Sequence, residues 1–232
     1  MKHSTHSVQA IAAVLAVGLM GALPARADGP RRYERLRPDE VARAVERAEQ
    51  GRGRRDAAES AGARSRSASD DRELLRVERR QRSKLERRRG LGRSADVYHY
   101  DYAKNVTLHT VVRLPSGEIE EIRELPGVQL PLTQREIDRA TGIAFADPTV
   151  RERIGGLFRQ RTGEVLVSLD QLHAKAMVFS AESMPDAVND AAGRCGVDRC
   201  AQLLLFTAEH VTVEVIPIVD LTTGELVQVL DF

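Results

Sequence analysis

The chain has 232 residues, enough to bury a hydrophobic core in one or two domains. Its 35 lysine and arginine residues nearly balance 34 aspartate and glutamate residues, which argues against a strongly charged partner such as nucleic acid. After residue 27, no segment has the run of apolar residues that a membrane-spanning helix needs.

The first 27 residues have the features of a secretory signal peptide. Lys2 gives a basic start, residues 8–23 are mostly apolar, and Ala25-Arg26-Ala27 offers a cleavage site between small residues. The apolar run is shorter than the roughly 20 residues of a spanning helix, so a membrane anchor is the less favoured alternative. We therefore expect residues 1–27 to be removed and the remainder to be periplasmic or secreted.

The two cysteines, Cys195 and Cys200, lie close together in the sequence. In an exported protein such a pair favours a local structural disulfide. The alternative is a metal or redox pair, but the spacing is not the Cys-x-x-Cys of redox enzymes, and no second pair is present for a zinc site.

The N-terminal half begins with a pattern of two helices separated by a polar stretch. Apolar residues at helical spacing predict a short amphipathic helix over Leu36–Gln50. Gly51–Asp71 is rich in Gly, Ser, Ala and Arg and predicts a flexible insertion. Arg72–Arg89 has a thin apolar stripe among many charges and predicts a second, highly charged helix.

Alternating apolar residues predict the strands. Thr107–Leu125 and Val211–Phe232 each contain a turn with glycine between two alternating runs, which indicates two β-hairpins. Cys200–Thr207 predicts a buried strand. Val165–Leu169 predicts another, which either continues through Val178 or is interrupted by a turn.

Two further helices are predicted between these hairpins. Thr133 with Glu136 three residues later forms the capping-box pattern of a helix start. Asp147-Pro148 indicates a second start, and Gly163 marks the end of that helix. Residues 180–194 are polar and predict irregular structure.

An internal repeat organises these elements. Leu36-x-Pro-x-Glu-Val-x-Arg-Ala matches Leu132-Thr-x-x-Glu-Ile-x-Arg-Ala, and each copy is followed by strands that end in a hairpin. We expect an α+β fold with two tandem units, residues 28–125 with the Arg-rich insertion at 51–71, and residues 126–232. In each unit a helix precedes an antiparallel sheet, and a single larger α+β domain is the alternative.

Two segments resemble one known family. The helix start from Leu130 to Ile137 and the hairpin from Ile218 to Val227, with its Asp-Leu-Thr-Thr-Gly-Glu turn, are similar to segments of copper amine oxidases. The likeness spans about Asp96–Phe232 and falls in the small N-terminal α/β domains that precede that family's catalytic domain. It implies that both units are cystatin-like, a helix packed on an antiparallel sheet.

The functional residues of copper amine oxidases have no counterparts here. The family's quinone cofactor forms from the tyrosine of an Asn-Tyr motif, and its copper is held by a His-x-His pair with a distant histidine. This sequence contains neither motif. We therefore expect no enzyme activity from this chain, and no quinone cofactor.

The best metal candidates are His99, Asp101 and His109. Should the two predicted strands pair in antiparallel register, these side chains could form a nitrogen and oxygen site suited to copper or zinc. The alternative is that they are ordinary polar residues of a solvated strand. His173 and His210 are each expected to be isolated.

These observations lead to one favoured function and two alternatives. We expect an exported, non-catalytic binding or assembly module that docks another periplasmic protein through a sheet face or edge. One alternative is a small copper- or metal-handling protein that uses His99, Asp101 and His109. The other is an accessory subunit in copper- and quinone-dependent amine oxidation, with a separately encoded catalytic chain.

Overall fold

The first helix, α1, spans Pro38–Glu59, in a computed structural model that describes residues 34–59, 72–114 and 116–231. Asp39 and Glu40 lie in its first turn, where negative charge complements the helix dipole. The helix runs about two turns beyond the expected end near Gln50, so the flexible insertion predicted from residue 51 is wrong for residues 51–59. The rest of that segment, and the predicted leader, lie outside the described residues.

The first sheet is an antiparallel meander. The order of its strands in the sheet is the same as their order in the chain. A short helix, α2 (Lys84–Arg88), lies between the first and second strands. The strands are β1 (Arg72–Arg79), β2 (Ser94–Asp101), β3 (Val106–Arg113) and β4 (Ile119–Pro126). The predicted hairpin at Thr107–Leu125 is confirmed as β3 and β4.

The charged helix predicted over Arg72–Arg89 is wrong for Arg72–Arg79, which form strand β1, and within that range only Lys84–Arg88 is helical. The register between β1 and β2 shifts between Leu74 and Arg76. This β-bulge brings Leu74 and Val77, three residues apart, to the same face of the sheet, where both pack against the α1 side. Apolar residues three positions apart are also typical of an amphipathic helix, so the bulge gave the sequence of this strand a helical pattern.

One face of this sheet packs against α1. Most of the buried side chains between helix and sheet are alanine or valine, which lets the two layers approach closely, and Leu114 is the one larger member of the cluster: Ala44, Ala48, Ala95, Val97, Val112 and Leu114. The approach is close at Gly51, where an added Cβ atom would lie 2.0 Å from Cδ1 of Ile119 in β4. Glycine in the middle of α1 therefore reflects helix–sheet packing rather than a break in the helix.

Two consecutive helices connect the sheets, as the sequence predicts. They are α3 (Gln134–Ala146) and α4 (Pro148–Thr162). The capping box at Thr133 and Glu136 is present, with both reciprocal bonds formed. Asp147 ends α3 and accepts a hydrogen bond from the Val150 amide of α4, and Gly163 ends α4 in the left-handed conformation.

The second sheet is also antiparallel, with α3 and α4 on one face. Its strands are β5 (Leu172–Phe179), β6 (Cys200–Thr207), β7 (Thr212–Val213), β8 (Val215–Asp220) and β9 (Glu225–Asp231), in the order β5-β6-β8-β9 with β7 paired to β6. Buried residues of α4, namely Val150, Ile154 and Phe158, pack on Leu205 and Val215 of this sheet. The buried strand at Cys200–Thr207 and the C-terminal hairpin are confirmed.

The strand predicted over Val165–Leu169 is wrong. Residues 164–168 have no regular structure, and Leu169–Gln171 forms a short 3-10 turn capped by Ser168. Val167 is 82% exposed, so its apolar side chain contributes little to the core. The alternation over Leu172–Phe179 is the part of the pattern that forms a strand. The irregular structure predicted for residues 180–194 is confirmed, since the segment contains three short 3-10 turns and neither an α-helix nor a strand.

The sequence repeat corresponds to repeated contacts at the two helix starts. Glu40 and Glu136, the shared glutamates, are both buried. Glu40 accepts a hydrogen bond from the backbone amide of Arg37 at 2.8 Å, and Glu136 accepts one from the amide of Thr133, also at 2.8 Å. Each carboxylate thus closes the first turn of its helix.

Each of these glutamates also binds an arginine that directly precedes the second strand of its sheet. Arg93 lies before β2, and its Nη2 donates to Glu40 at 3.0 Å. Arg199 lies before β6, and its Nη2 donates to Glu136 at 2.9 Å. The same helix-to-sheet link therefore occurs twice, and the described residues from Arg35 onward belong to one compact unit.

The hairpin turns repeat as well. Leu114 and Leu221, both buried, donate their amides to the carbonyls of the two arginines before β2 and β6. Gly117 and Gly224 then take the left-handed conformation, with φ of 73° and 77°. The α+β class is therefore confirmed, with each antiparallel meander preceded by helix.

Two glycines of α1 provide a matched test of the packing at the first sheet. Among the described residues, an added Cβ atom at Gly53, unlike one at Gly51, would meet no heavy atom within 4 Å apart from the neighbouring backbone of its own helix. Gly53→Ala should raise the free energy of unfolding by about 0.5–1 kcal/mol, the usual helix preference for alanine. Gly51→Ala should lower it by about 1–3 kcal/mol, because the added methyl group overpacks Ile119.

Urea unfolding followed by circular dichroism measures both changes, since the chain has no tryptophan. Replacing Ile119 by Val in the Gly51→Ala background should recover part of the loss. Equal effects of the two alanines would contradict the close helix–sheet contact.

Candidate functional site

The three side chains predicted to hold a metal ion are not brought together. His99 and Asp101 are alternate residues of β2 and share the face that packs against α1. His109 lies opposite Tyr98 in the register of β2 and β3, and the two rings stack with centroids 4.6 Å apart. Because Tyr98 and His99 are neighbours on one strand, the sheet separates His109 from His99.

His99 is buried in an environment that opposes its protonation. It is 2% exposed, and within the described ranges neither ring nitrogen has a hydrogen-bond partner. Burial, together with the positive charges of Arg52 and Arg72, lowers the pKa of His99 to about 3. Asp101 is bound to Arg72, whose Nε donates to it at 2.7 Å.

His109 takes part in a structural ion cluster on the opposite face. Its Nε2 lies 2.8 Å from Oδ1 of Asp96, to which Nη1 of Arg80 also donates at 2.9 Å. Burial alone would raise the pKa of Asp96, but the hydrogen bonds from His109 and Arg80 outweigh it and hold that pKa below its usual range. In the part of the chain that the structure describes, no group of three or more His, Cys, Asp or Glu side chains is placed to hold a metal ion.

The predicted disulfide between Cys195 and Cys200 is confirmed, with Cα atoms 5.4 Å apart. It closes a small loop that turns two charged side chains inward. Asp198 is 1% exposed and accepts a hydrogen bond from Nδ2 of Asn105 at 2.6 Å. The other inward side chain is Arg199, which is completely buried.

Arg199 joins the disulfide loop to α3 and to the first sheet. Besides its pair with Glu136, it donates to the backbone carbonyl of Leu130 at 3.0 Å and lies over the ring of Tyr100. The hydroxyl of Tyr102 donates to the same Glu136 carboxylate at 2.7 Å. Burial would raise the pKa of Glu136, but Arg199 outweighs it and lowers that pKa. These contacts satisfy the buried charges and leave no acid or base of this cluster open to a substrate.

The second sheet has an outer face that is only partly covered. Leu203 and Leu205 of β6 are buried on the helix side, so the alternate residues of β6 face outward. The segment between β5 and β6 covers one end of the outer face, where Phe179, Cys200 and Ile218 are buried with Cys195. The side chains at the other end, which we call the outer patch, are His173, Lys175, Met177, Leu204, Phe206 and His210.

The outer patch combines apolar and basic side chains. Met177 is 50% exposed, and Leu204 and Phe206 are partly exposed. Nζ of Lys175 lies 5.3 Å from the centre of the Phe206 ring, a cation–π contact. Among the described strands, β5 pairs with β6 alone and forms the edge of its sheet, so its outer backbone groups are not part of that sheet's hydrogen-bond ladder.

The expectation that His173 and His210 are isolated is wrong. His173 lies opposite Phe206 in the register of β5 and β6, and His210 lies in the turn after β6. Their ring centroids are 5.9 Å apart. The pair depends on the β5–β6 register, a feature of the fold, which places the start of β5 beside the end of β6.

Within the described ranges, no helix is both long and apolar enough to cross a membrane.

Comparisons with known proteins give a likeness of fold. No protein-family model and no curated protein matches the sequence. Among solved structures, the chain is similar to the crystal structure of a copper-containing benzylamine oxidase from Hansenula polymorpha, with a TM-score of 0.51 and 14% sequence identity. The match covers 86% of this chain and 30% of that chain. The resemblance to copper amine oxidases is thus supported at the level of fold, over less than a third of the enzyme's length.

The buried imidazole of His99 should make the stability depend on pH. In the unfolded chain His99 takes up a proton below its ordinary pKa of about 6.5, whereas the folded chain takes it up near pH 3. The unfolded state therefore binds more protons between these values, and stability falls as the pH is lowered from about 6.5, by at most about 1.4 kcal/mol per pH unit.

His99→Leu should remove this contribution, because leucine does not titrate. Leucine should also fit the position, since Leu205 holds the corresponding place in the second sheet, six residues after Arg199 as His99 is six residues after Arg93. Urea unfolding at pH 7 and pH 4.5 measures the difference. Thr110→Val, at an equally buried and non-titrating neighbour, should keep the slope of the wild-type protein. The same slope in His99→Leu would contradict the depressed pKa.

Proposed function

We propose that this chain is an exported, non-catalytic binding or assembly module built from two tandem cystatin-like units, similar to the N-terminal domains of copper amine oxidases. The repeated helix-to-sheet contacts and the fold likeness to part of a benzylamine oxidase support this architecture. The leader-like sequence of residues 1–27 supports export. The observation that carries the binding role is the outer patch.

The chain itself is proposed not to oxidise amines. Its sequence has no Asn-Tyr pair and no His-x-His pair, the residues from which that chemistry would be built. The buried charges of Glu136, Arg199 and Asp198 are engaged with one another or with neighbouring polar groups. Their arrangement suits a structural role better than acid or base catalysis.

The proposed partner is another exported protein that presents an extended segment with an apolar side chain beside carboxylates. The apolar side chain would contact Met177 and Leu204, which are accessible on the outer face. Carboxylates would complement Lys175 and the two imidazoles beside it. The backbone of the segment would pair with the open edge of β5, as in β-strand addition.

A narrower form of this proposal makes the partner the catalytic chain of a copper- and quinone-dependent amine oxidase. The fold likeness to the benzylamine oxidase motivates it. A neighbouring reading frame that encodes such a catalytic chain would support the narrower form.

The test uses the exported protein as bait, with variants on and off the outer patch. Met177→Asp and Lys175→Glu change exposed side chains, so the fold should be retained. Val167→Asp introduces the same charge at a more exposed apolar residue outside the patch and serves as the control. A partner captured from a periplasmic extract is then identified, purified and titrated against each protein.

We expect the wild-type and Val167→Asp proteins to bind the purified partner equally. Met177→Asp and Lys175→Glu should weaken binding by at least about tenfold, as substitutions at interface centres commonly do. Equal affinity of the wild-type, Met177→Asp and Lys175→Glu proteins for the partner would contradict the proposal. Concentration-dependent self-association that the same variants abolish would instead identify a second copy as the occupant.

A further inference from the structure

We propose that His173 and His210 form a surface site for a first-row transition-metal ion, with Cu²⁺ bound most tightly. The site differs from the trio of His99, Asp101 and His109, which the fold keeps apart. It also does not depend on the proposed docking role, because the observations that carry it concern only these two imidazoles and the turn that positions one of them.

The separation of the rings fits two ligands on one ion. A metal–nitrogen distance of about 2.0–2.1 Å places each ring centre about 3.2 Å from the ion. Two such rings are then about 4.5 to 6.4 Å apart for angles at the metal between a right angle and a straight line. The centroids of His173 and His210 are 5.9 Å apart, within this range.

Both side chains are exposed, so their rings can turn toward a common ion. The planes are now 25° apart, and the second side-chain torsion of histidine is broad, which makes the adjustment inexpensive. Exposure also leaves room for water at the remaining coordination positions, as in an open site.

The backbone of His210 is an independent observation. Its φ is 61°, in the left-handed region that is uncommon for residues other than glycine and that histidine adopts more readily than most. The turn fixes it there, because the His210 amide donates to the carbonyl of Thr207 at 2.9 Å and the Thr207 amide donates to the carbonyl of Val211, also at 2.9 Å. The turn therefore holds the imidazole of His210 beside that of His173.

The chemistry of the ligands selects the metal. Neutral imidazole nitrogen suits copper, nickel and zinc, and the affinity of such ligands for divalent ions is highest for copper. Calcium and magnesium prefer oxygen ligands and are not expected to bind. Protons compete for the same nitrogens, so binding should weaken as the pH is lowered.

The experiment is a Cu²⁺ titration of the untagged full chain against a competing chelator. All proteins carry His3→Ala and His6→Ala, because these two histidines near the N-terminus lie outside the described residues and could bind copper themselves. The test variants are His173→Ala and His210→Gly, and glycine accepts the left-handed backbone of position 210 without strain. His109→Gln is the control that removes an imidazole elsewhere.

We expect one equivalent of Cu²⁺, with nitrogen hyperfine coupling in the electron paramagnetic resonance spectrum and a higher melting temperature than the metal-free protein. Each test variant should weaken binding by at least about tenfold, since even outer-shell changes commonly cost about 10–100-fold in metal affinity. His109→Gln should bind as the background protein does.

Three results would overturn the site: no binding beyond surface adsorption, binding that survives either test variant, or loss of binding in His109→Gln. Circular dichroism of the metal-free variants separates loss of a ligand from loss of fold. A folded His210→Gly protein that no longer binds Cu²⁺ is the strongest support.

Discussion

The ion pair between the completely buried guanidinium of Arg199 and the carboxylate of Glu136 is the interaction on which the rest of the structure depends. Removing such a charge from water is costly, so it has to be surrounded by acceptors. Glu136 and the carbonyl of Leu130 provide them, and Tyr102, in the turn directly after β2, shares the same carboxylate. The disulfide loop before β6 holds the arginine, and the capping box of α3 holds the glutamate. One ion pair therefore fixes a helix start, a strand start and the contact between the two sheets.

The elements that could be predicted from the sequence are those specified by nearby residues. The capping box at Thr133, the disulfide and the two hairpins depend on spacings of a few residues, and the structure has all of them. The partner of Glu136 could not be predicted, because Arg199 lies 63 residues away and only the fold brings them together. The sequence of strand β1 predicts a helix, because its bulge changes the spacing of the apolar residues from two to three, which is close to the helical period.

The histidines also show that the sequence alone does not tell which distant side chains the fold brings together. His99 and His109 lie on paired strands, but a register offset of one residue sends their side chains to opposite faces. His173 and His210 are further apart in sequence, yet the pairing of β5 and β6 makes them neighbours. The buried polar groups of the first sheet, such as Asp96 and Asp101, are bound within the fold, whereas His173 and His210 are exposed.

The most direct test of this account is a double-mutant cycle on the central ion pair, with Glu136→Leu, Arg199→Met and the double variant compared by urea unfolding. Each single variant leaves one buried charge without its partner and should lower the free energy of unfolding by about 3–5 kcal/mol. The double variant leaves neither charge, so the account predicts a loss well below the sum of the two. Additive losses would show that the pair is not a coupled unit and would contradict its central place in the fold.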